Sequence, residues 1–179
     1  MKIYIETPRL ILRDWQESDI LPFYEMNSNE RTMEFFLNPL NEEESLAFYH
    51  RIKDEFGTCG YGLYAVERKD NHEFIGFTGF HRFTFDADFA PGVEIGWRLK
   101  PEAWGNGFAP EAAKACLEYA KKKLEFSEVY SFTALPNKRS ERVMQKIGLE
   151  PVKEFDHPLV PAGHPLLRHL LYKIDLRNK

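Results

Sequence analysis

The apolar positions of this 179-residue chain recur at either two-residue or three-to-four-residue spacing, and the switches between the two mark out strands and helices. Leu10, Leu12 and Trp15, after Thr7-Pro8-Arg9, read as a first strand, and Ser18-Asp19 opens a helix carrying Leu21, Tyr24 and Met26 inward. Asn41 before Glu42-Glu43-Glu44 gives a capped, acidic start to a second helix ending near Phe56, with Leu46, Tyr49 and Ile52 on one face. From Tyr61 to Phe83 two strands flank the polar Lys69-Asp70-Asn71-His72, which predicts a hairpin; Gly76 and Gly79 weaken its second strand or admit a close neighbour.

The alternation in Val93-Glu94-Ile95-Gly96-Trp97-Arg98-Leu99 is clean, with Val93, Ile95, Trp97 and Leu99 on one face and Glu94, Gly96 and Arg98 on the other. A helix from about Phe108 places Ala109, Ala112, Ala113, Cys116, Leu117, Ala120 and Leu124 at helical spacing. A strand over Val129 to Leu135 and a helix from Asn137 to Gly148 follow, the latter closed by glycine. Strand, helix, strand predicts a right-handed parallel crossover. The tail gives a short strand at Val152 to Phe155, a loop rich in Pro and His, and a last strand from about His169 to Leu176.

Composition narrows the class. A chain that is 43% hydrophobic, with 15 Phe, 8 Tyr and 3 Trp, can bury a core without staples, so one globular α/β domain over 1–179 is expected. Net charge -4 gives no basic footprint for nucleic acid or an anionic membrane. Cys59 and Cys116 form neither a disulfide framework nor a zinc motif, and the expected compartment is the reducing cytoplasm. No stretch reaches the length of a membrane span, and the start lacks a long apolar signal segment.

Two segments carry candidate chemistry. Trp104-Gly105-Asn106-Gly107-Phe108-Ala109 lies between a strand and a helix, where two glycines can turn the backbone so that several N–H groups and the helix N-terminus favour an anion. An ordinary glycine turn has the same appearance, and the Lys-Ser/Thr of a nucleotide-hydrolysing phosphate loop is missing. In the second segment Asn137 and Ser140 share a helix face, which fits either a simple N-cap or a ligand contact.

Taken together, the strand, Gly-x-Gly-x-Ala loop, helix, strand and Asn-x-x-Ser-x-x-Val-Met-x-Lys-x-Gly-Leu helix resemble the GNAT acetyltransferase superfamily, and within it the RimJ/RimL-like ribosomal-protein N-acetyltransferase branch. The resemblance runs from Glu6-Thr7-Pro8-Arg9-Leu10-Ile11-Leu12-Arg13 through Glu94-Ile95-Gly96-Trp97 and the glycine loop to Leu149. It implies a mostly antiparallel twisted sheet, flanked by helices, whose central parallel strands splay apart. It also implies acetyl-CoA as donor, with pyrophosphate on Gly105, Asn106, Gly107, Phe108 and Ala109, pantetheine along Ile95, Trp97 and Leu99, and Asn137 holding the pantetheine arm. Trp104 stands where the wider superfamily has Gln or Arg, as is common in this branch. Met144 stands where many members have a thiolate-protonating Tyr, and Ser140 is the natural substitute.

The implied reaction is direct attack of a primary amine on the thioester, without a covalent enzyme intermediate. At pH 7 an ε-amine is free base in roughly one part in two thousand, an α-amine in roughly a tenth to a sixth. An α-amine therefore demands less of the base, and the resemblance alone implies a protein N-terminus, ribosomal or other, as the expected acceptor; the alternatives are a polyamine or aminoglycoside, or a non-catalytic acyl-CoA-binding module. Glu94 is the candidate base, which requires burial to raise its pKa; the competing role is a pair with Arg98. Backbone N–H groups of its strand could stabilise an oxyanion. His157, His164 and His169 match no metal motif and are expected to be loop structure, with His169 a second-choice base; Asp86 and Asp88 read as solvated loop acids, the alternative being that they receive a cationic substrate. No metal is expected, and the assembly is a monomer or homodimer.

Overall fold

The computed structural model describes residues 1–177. Its elements are β1 (Ile3–Glu6), β2 (Leu10–Arg13), α1 (Ile20–Asn27), α2 (Glu42–Cys59), β3 (Leu63–Arg68), β4 (Phe74–Phe83), β5 (Gly92–Leu99), α3 (Phe108–Tyr119), β6 (Glu128–Ala134), α4 (Lys138–Lys146), β7 (Glu150–Asp156) and β8 (Arg168–Asp175). The strands make one eight-stranded sheet in the order β1-β2-β3-β4-β5-β6-β8-β7. Every pairing is antiparallel except β5 with β6, which α3 connects as the crossover predicts. That pair shares a single register position, Glu94 opposite Tyr130, and then separates.

Each face of the sheet has its own core. Tyr64, Phe80, Ile95 and Val129 pack under α3 and α4, whereas Trp15, Phe23, Tyr49 and Phe77 pack with α1 and α2 on the opposite face. The sheet thus separates two layers, and the gap between β5 and β6 opens at its centre. Gly76 and Gly79 are points of close approach: a Cβ at Gly76 would lie 2.1 Å from the Arg98 carbonyl oxygen, and one at Gly79 2.3 Å from that of Gly62. Asn41 caps α2 by accepting from the Glu44 N–H at 2.8 Å, while Glu44 accepts from the Asn41 N–H.

Three expectations are corrected. Leu21 is 63% exposed, because α1 turns Phe23, Met26 and Asn27 to the sheet, and Leu46 lies at the surface while Ser45, Tyr49 and Ile52 face inward. Strand β1 has four residues, too few to show a period, and is fixed by pairing with β2. Beyond these, β8 inserts between β6 and β7, an order that local pattern does not encode.

A buried ionic cluster ties the start of α1 to the sheet. Arg13 donates to Asp19 at 2.8 and 3.0 Å and to Glu67 at 2.6 Å, with all three residues buried. Arg13→Met would leave two carboxylates without their shared cation, so it should lower unfolding free energy by about 3–5 kcal/mol in urea titrations. A change below about 1 kcal/mol would show that the cluster contributes little.

Candidate active site

Where β5 and β6 part, they wall a cavity of about 800 Å³, within the range of small-molecule sites. Gly96 to Leu99 line one side, Ser131 to Ala134 the other, and the glycine loop, α4 and the segment between α1 and α2 close the ends. The Ser131 hydroxyl donates to the Ile95 carbonyl at 3.0 Å, pinning the strands at the point of divergence. The Ile95 side chain itself is fully buried in the core, so only its backbone faces the gap, whereas Trp97 is half-buried on the cavity wall.

The glycine loop is shaped from within. The Trp104 indole N–H donates to the Leu99 carbonyl at 2.9 Å, and Arg139 lies over its ring at 3.6 Å, with Arg31 on the ring at 5.2 Å. Asn106 donates its amide to the carbonyls of Ala103 and Trp104, both at 3.1 Å; its side chain holds the turn and does not line the cavity. Gly105 and Gly107 have φ of 78° and 76°, which L side chains rarely adopt, and Gly107 sits at the N-cap of α3. Phe108 is buried beneath Arg9. Among the described residues, no protein acceptor takes the N–H groups of Gly105, Asn106, Gly107, Phe108 or Ala109. A run of free donors at a helix N-terminus suits an anionic group such as a pyrophosphate.

Glu94 stands on the opposite face, flanked on the sheet by His81 of β4 and Tyr130 of β6. It is half-buried on the cavity wall and makes no ion pair or side-chain hydrogen bond among the described residues. Burial pushes its carboxyl up to about 8, against the pull of His81 and with added repulsion from Glu55. His81 in turn holds Glu55 through Nδ1 at 2.9 Å, which raises the histidine's pKa despite its burial. The expected alternative, a Glu94–Arg98 pair, is absent. Arg98 instead donates to Asn27 Oδ1 at 2.8 Å and stacks on Phe36, Phe77 and Phe48 at 4.4, 5.2 and 5.6 Å. Each such contact contributes roughly 0.5–2 kcal/mol.

At the far wall, the Asn137 side chain accepts from the Ser140 N–H at 3.3 Å, so it caps α4 while lining the cavity. The half-buried Ser140 also lines the cavity, and its hydroxyl makes no hydrogen bond to the described residues. Met144 is buried beside it and offers no proton. His157 and His169 reach the cavity with rings 4.9 Å apart, and burial lowers both pKa values, His157 to about 4. His164 also lines the tail turn, accepting from the Leu166 N–H. Asp88 pairs with Lys153 at 2.7 Å outside the cavity.

Sequence reasoning missed the His81–Glu55 pair and the Arg98 setting. The Arg98 setting comes from cross-strand register with Phe77 and an aromatic-rich turn, Phe35-Phe36-Leu37, and the His81–Glu55 pair joins β4 to α2; neither declares itself along one strand.

The family model of the acetyltransferase (GNAT) domain matches residues 9–150. An uncharacterized N-acetyltransferase, YnaD of Bacillus subtilis, is 28% identical over 173 residues, covering 96% of each chain. Two solved structures share the fold: the ribosomal-protein-S5-alanine acetyltransferase of Vibrio fischeri (TM-score 0.75, 16% identity, 97% of each chain) and the spermidine N-acetyltransferase of Vibrio cholerae bound to CoA and spermine (0.73, 17%, 96% of this chain and 98% of that one). The match spans both walls of the gap and the glycine loop, and the chain belongs to the GNAT acetyltransferases, acting as an acetyl-CoA-dependent N-acetyltransferase.

Proposed function

We propose that this chain acetylates the α-amine of a peptide or protein N-terminus, as the RimJ/RimL-like branch does, with Glu94 receiving the amine's proton directly or through one water. The observation that carries the reading is the unpaired Glu94 carboxylate on the wall of the gap, with its pKa raised to about 8 by burial. A base near the working pH suits an amine whose own pKa is about 8, because little driving force is then lost in the transfer. The ribosomal-protein-S5-alanine acetyltransferase neighbour fits this reading; the spermidine enzyme fits the small-amine alternative. Against a polycation stands Arg98, a cation on the same wall with no carboxylate partner among the described residues.

In this reading Gly105 to Ala109 hold the donor's pyrophosphate through their free N–H groups, and the strand edge from Ile95 to Leu99, with Asn137, holds the pantetheine arm. Bound there, the donor supplies an activated acetyl group. Glu94 removes the proton as the amine nitrogen forms its bond to the acetyl carbon, and Ser140 donates its hydroxyl hydrogen bond to the departing thiolate. Ser140→Ala should lower kcat about 10-fold while leaving acetyl-CoA affinity within about twofold. Unchanged kcat would assign Ser140 a structural role.

The acceptor is tested by competition. A peptide bearing a free α-amine and a lysine is incubated with spermidine in the same vessel, and mass spectrometry locates the acetyl group. Modification of the α-amine is expected; acetyl found first on spermidine or lysine would discard the acceptor reading and keep the transferase.

A further inference from the structure

Arg98 is the cavity's unexplained charge. Its Nε is buried without a hydrogen-bond partner, and among the described residues no carboxylate lies within ion-pair distance of it. Of its five N–H donors, the one hydrogen bond it makes to the described residues runs from Nη1 to Asn27. A guanidinium taken out of water with its planar fork unfilled is costly to a fold, and the fork geometry matches a carboxylate. The three phenylalanines account for the faces of the group, not for its edge.

The floor beside Arg98 is open. Gly96 stands between Glu94 and Arg98 on the same face of β5, and a Cβ there would meet nothing within 4 Å. Glu94 and Arg98 are four residues apart, so at about 3.3 Å per residue their Cα atoms are separated by roughly 13 Å, with side chains standing off the sheet in parallel. Allowing about 3 Å for a hydrogen bond at each end leaves about 7 Å for whatever spans the trough. Two extended residues cover about that distance.

We infer that the acceptor carries a carboxylate about 7 Å from its reactive α-amine, and that Arg98 binds that carboxylate while Glu94 faces the amine. The inference rests on the acetyl-transfer reading above for the position of the amine. The carboxylate can be the C-terminus of a dipeptide-sized acceptor or an Asp side chain at the second position of a longer peptide, since both lie at this reach.

Two matched pairs separate the sources. Alanyl-alanine is compared with its C-terminal amide, and Ala-Asp-Ala-Ala-amide with Ala-Asn-Ala-Ala-amide, by kcat/KM from thiol release. The acid member of one pair should exceed its neutral partner by about 10- to 100-fold, the range of a charge-assisted hydrogen bond. Preference in the first pair alone identifies a small free acid, and in the second alone a side chain near a protein N-terminus. Arg98→Gln should bring the preferred pair to within about twofold, and Arg98→Lys should keep part of the preference. Equal values within both pairs in the wild-type protein would overturn the inference.

Calorimetric titration of the same four peptides into the CoA-loaded protein reads binding apart from turnover. Tighter binding of the acids in the wild-type protein supports the inference even if thiol release fails, in which case the transfer reading falls by itself. Equal affinities, or no binding of either member, would overturn the Arg98 assignment.

Discussion

Replacing Glu94 by Gln should cut kcat/KM at neutral pH by about 10- to 1000-fold, because the isosteric amide keeps the shape of the cavity wall and cannot take a proton. The wild-type dependence on pH should rise towards alkaline values with a midpoint near 8, since the carboxyl is pushed up to about 8 and acts only when ionised. A free α-amine titrates in the same range, so log kcat/KM should fall with a slope of about two below pH 7 and about one in the Gln protein. A profile of identical shape in both proteins would remove Glu94 from the proton transfer.

The same substitution should act oppositely on stability. The carboxyl's folded pKa lies above its ordinary value of 4.5, so protonation favours the folded state and ionisation opposes it. The opposition is absent at pH 4, grows between 4.5 and about 8, and is complete above that. Thermal unfolding of Glu94→Gln should therefore occur above the wild-type Tm at pH 9 and match it near pH 4. Higher stability with lower activity is what a carboxylate held out of water for function predicts.

Gly107→Asp should weaken acetyl-CoA binding by about 100-fold or more with a stability loss of only about 1–2 kcal/mol, which separates the anion cradle from the fold. Asp tolerates the left-handed conformation better than most residues, so φ of 76° at the start of α3 remains accessible at that cost. Its Cβ would meet the Arg9 guanidinium at 3.5 Å, an ordinary contact. The added carboxylate, however, would compete for the free N–H groups and repel a pyrophosphate, at a cost of about 1.5–3 kcal/mol per lost charge-assisted hydrogen bond. Calorimetric titration with acetyl-CoA beside a thermal melt checks both halves. Unchanged affinity would place the phosphates elsewhere.

Much of the fold was legible because the elements that build the gap are the strongly patterned ones. Val93 to Leu99 alternates without a break, α3 repeats small apolar residues at helical spacing, and the glycines between them force the turn; these three features alone specify a crossover with a loop of free N–H groups. The insertion of β8 between β6 and β7 depends on long-range pairing, such as Phe132 with Leu171, and has no local signature. Strand register likewise hid the site's electrostatics. Glu94 and Arg98 share a face of β5, and pairing them is the natural expectation, yet Arg98 stands over its cross-strand neighbour Phe77 and reaches Asn27, while Glu94 lies opposite His81. The rest of the cavity is lined by the turn after α1 and by the His-bearing tail, segments held by packing instead of by periodicity, so their share of it has no signal along the chain.

The most direct test of the account is thiol release from acetyl-CoA at neutral pH with an alanine-initiated peptide as the sole amine, followed by mass spectrometry of the product. Release that requires the peptide is expected, with a single acetyl group on its α-nitrogen. Acetyl-CoA held tightly by the protein, with no thiol released on this peptide or on lysine peptides, polyamines or aminoglycosides, would contradict it and leave a module that binds the donor without transferring it.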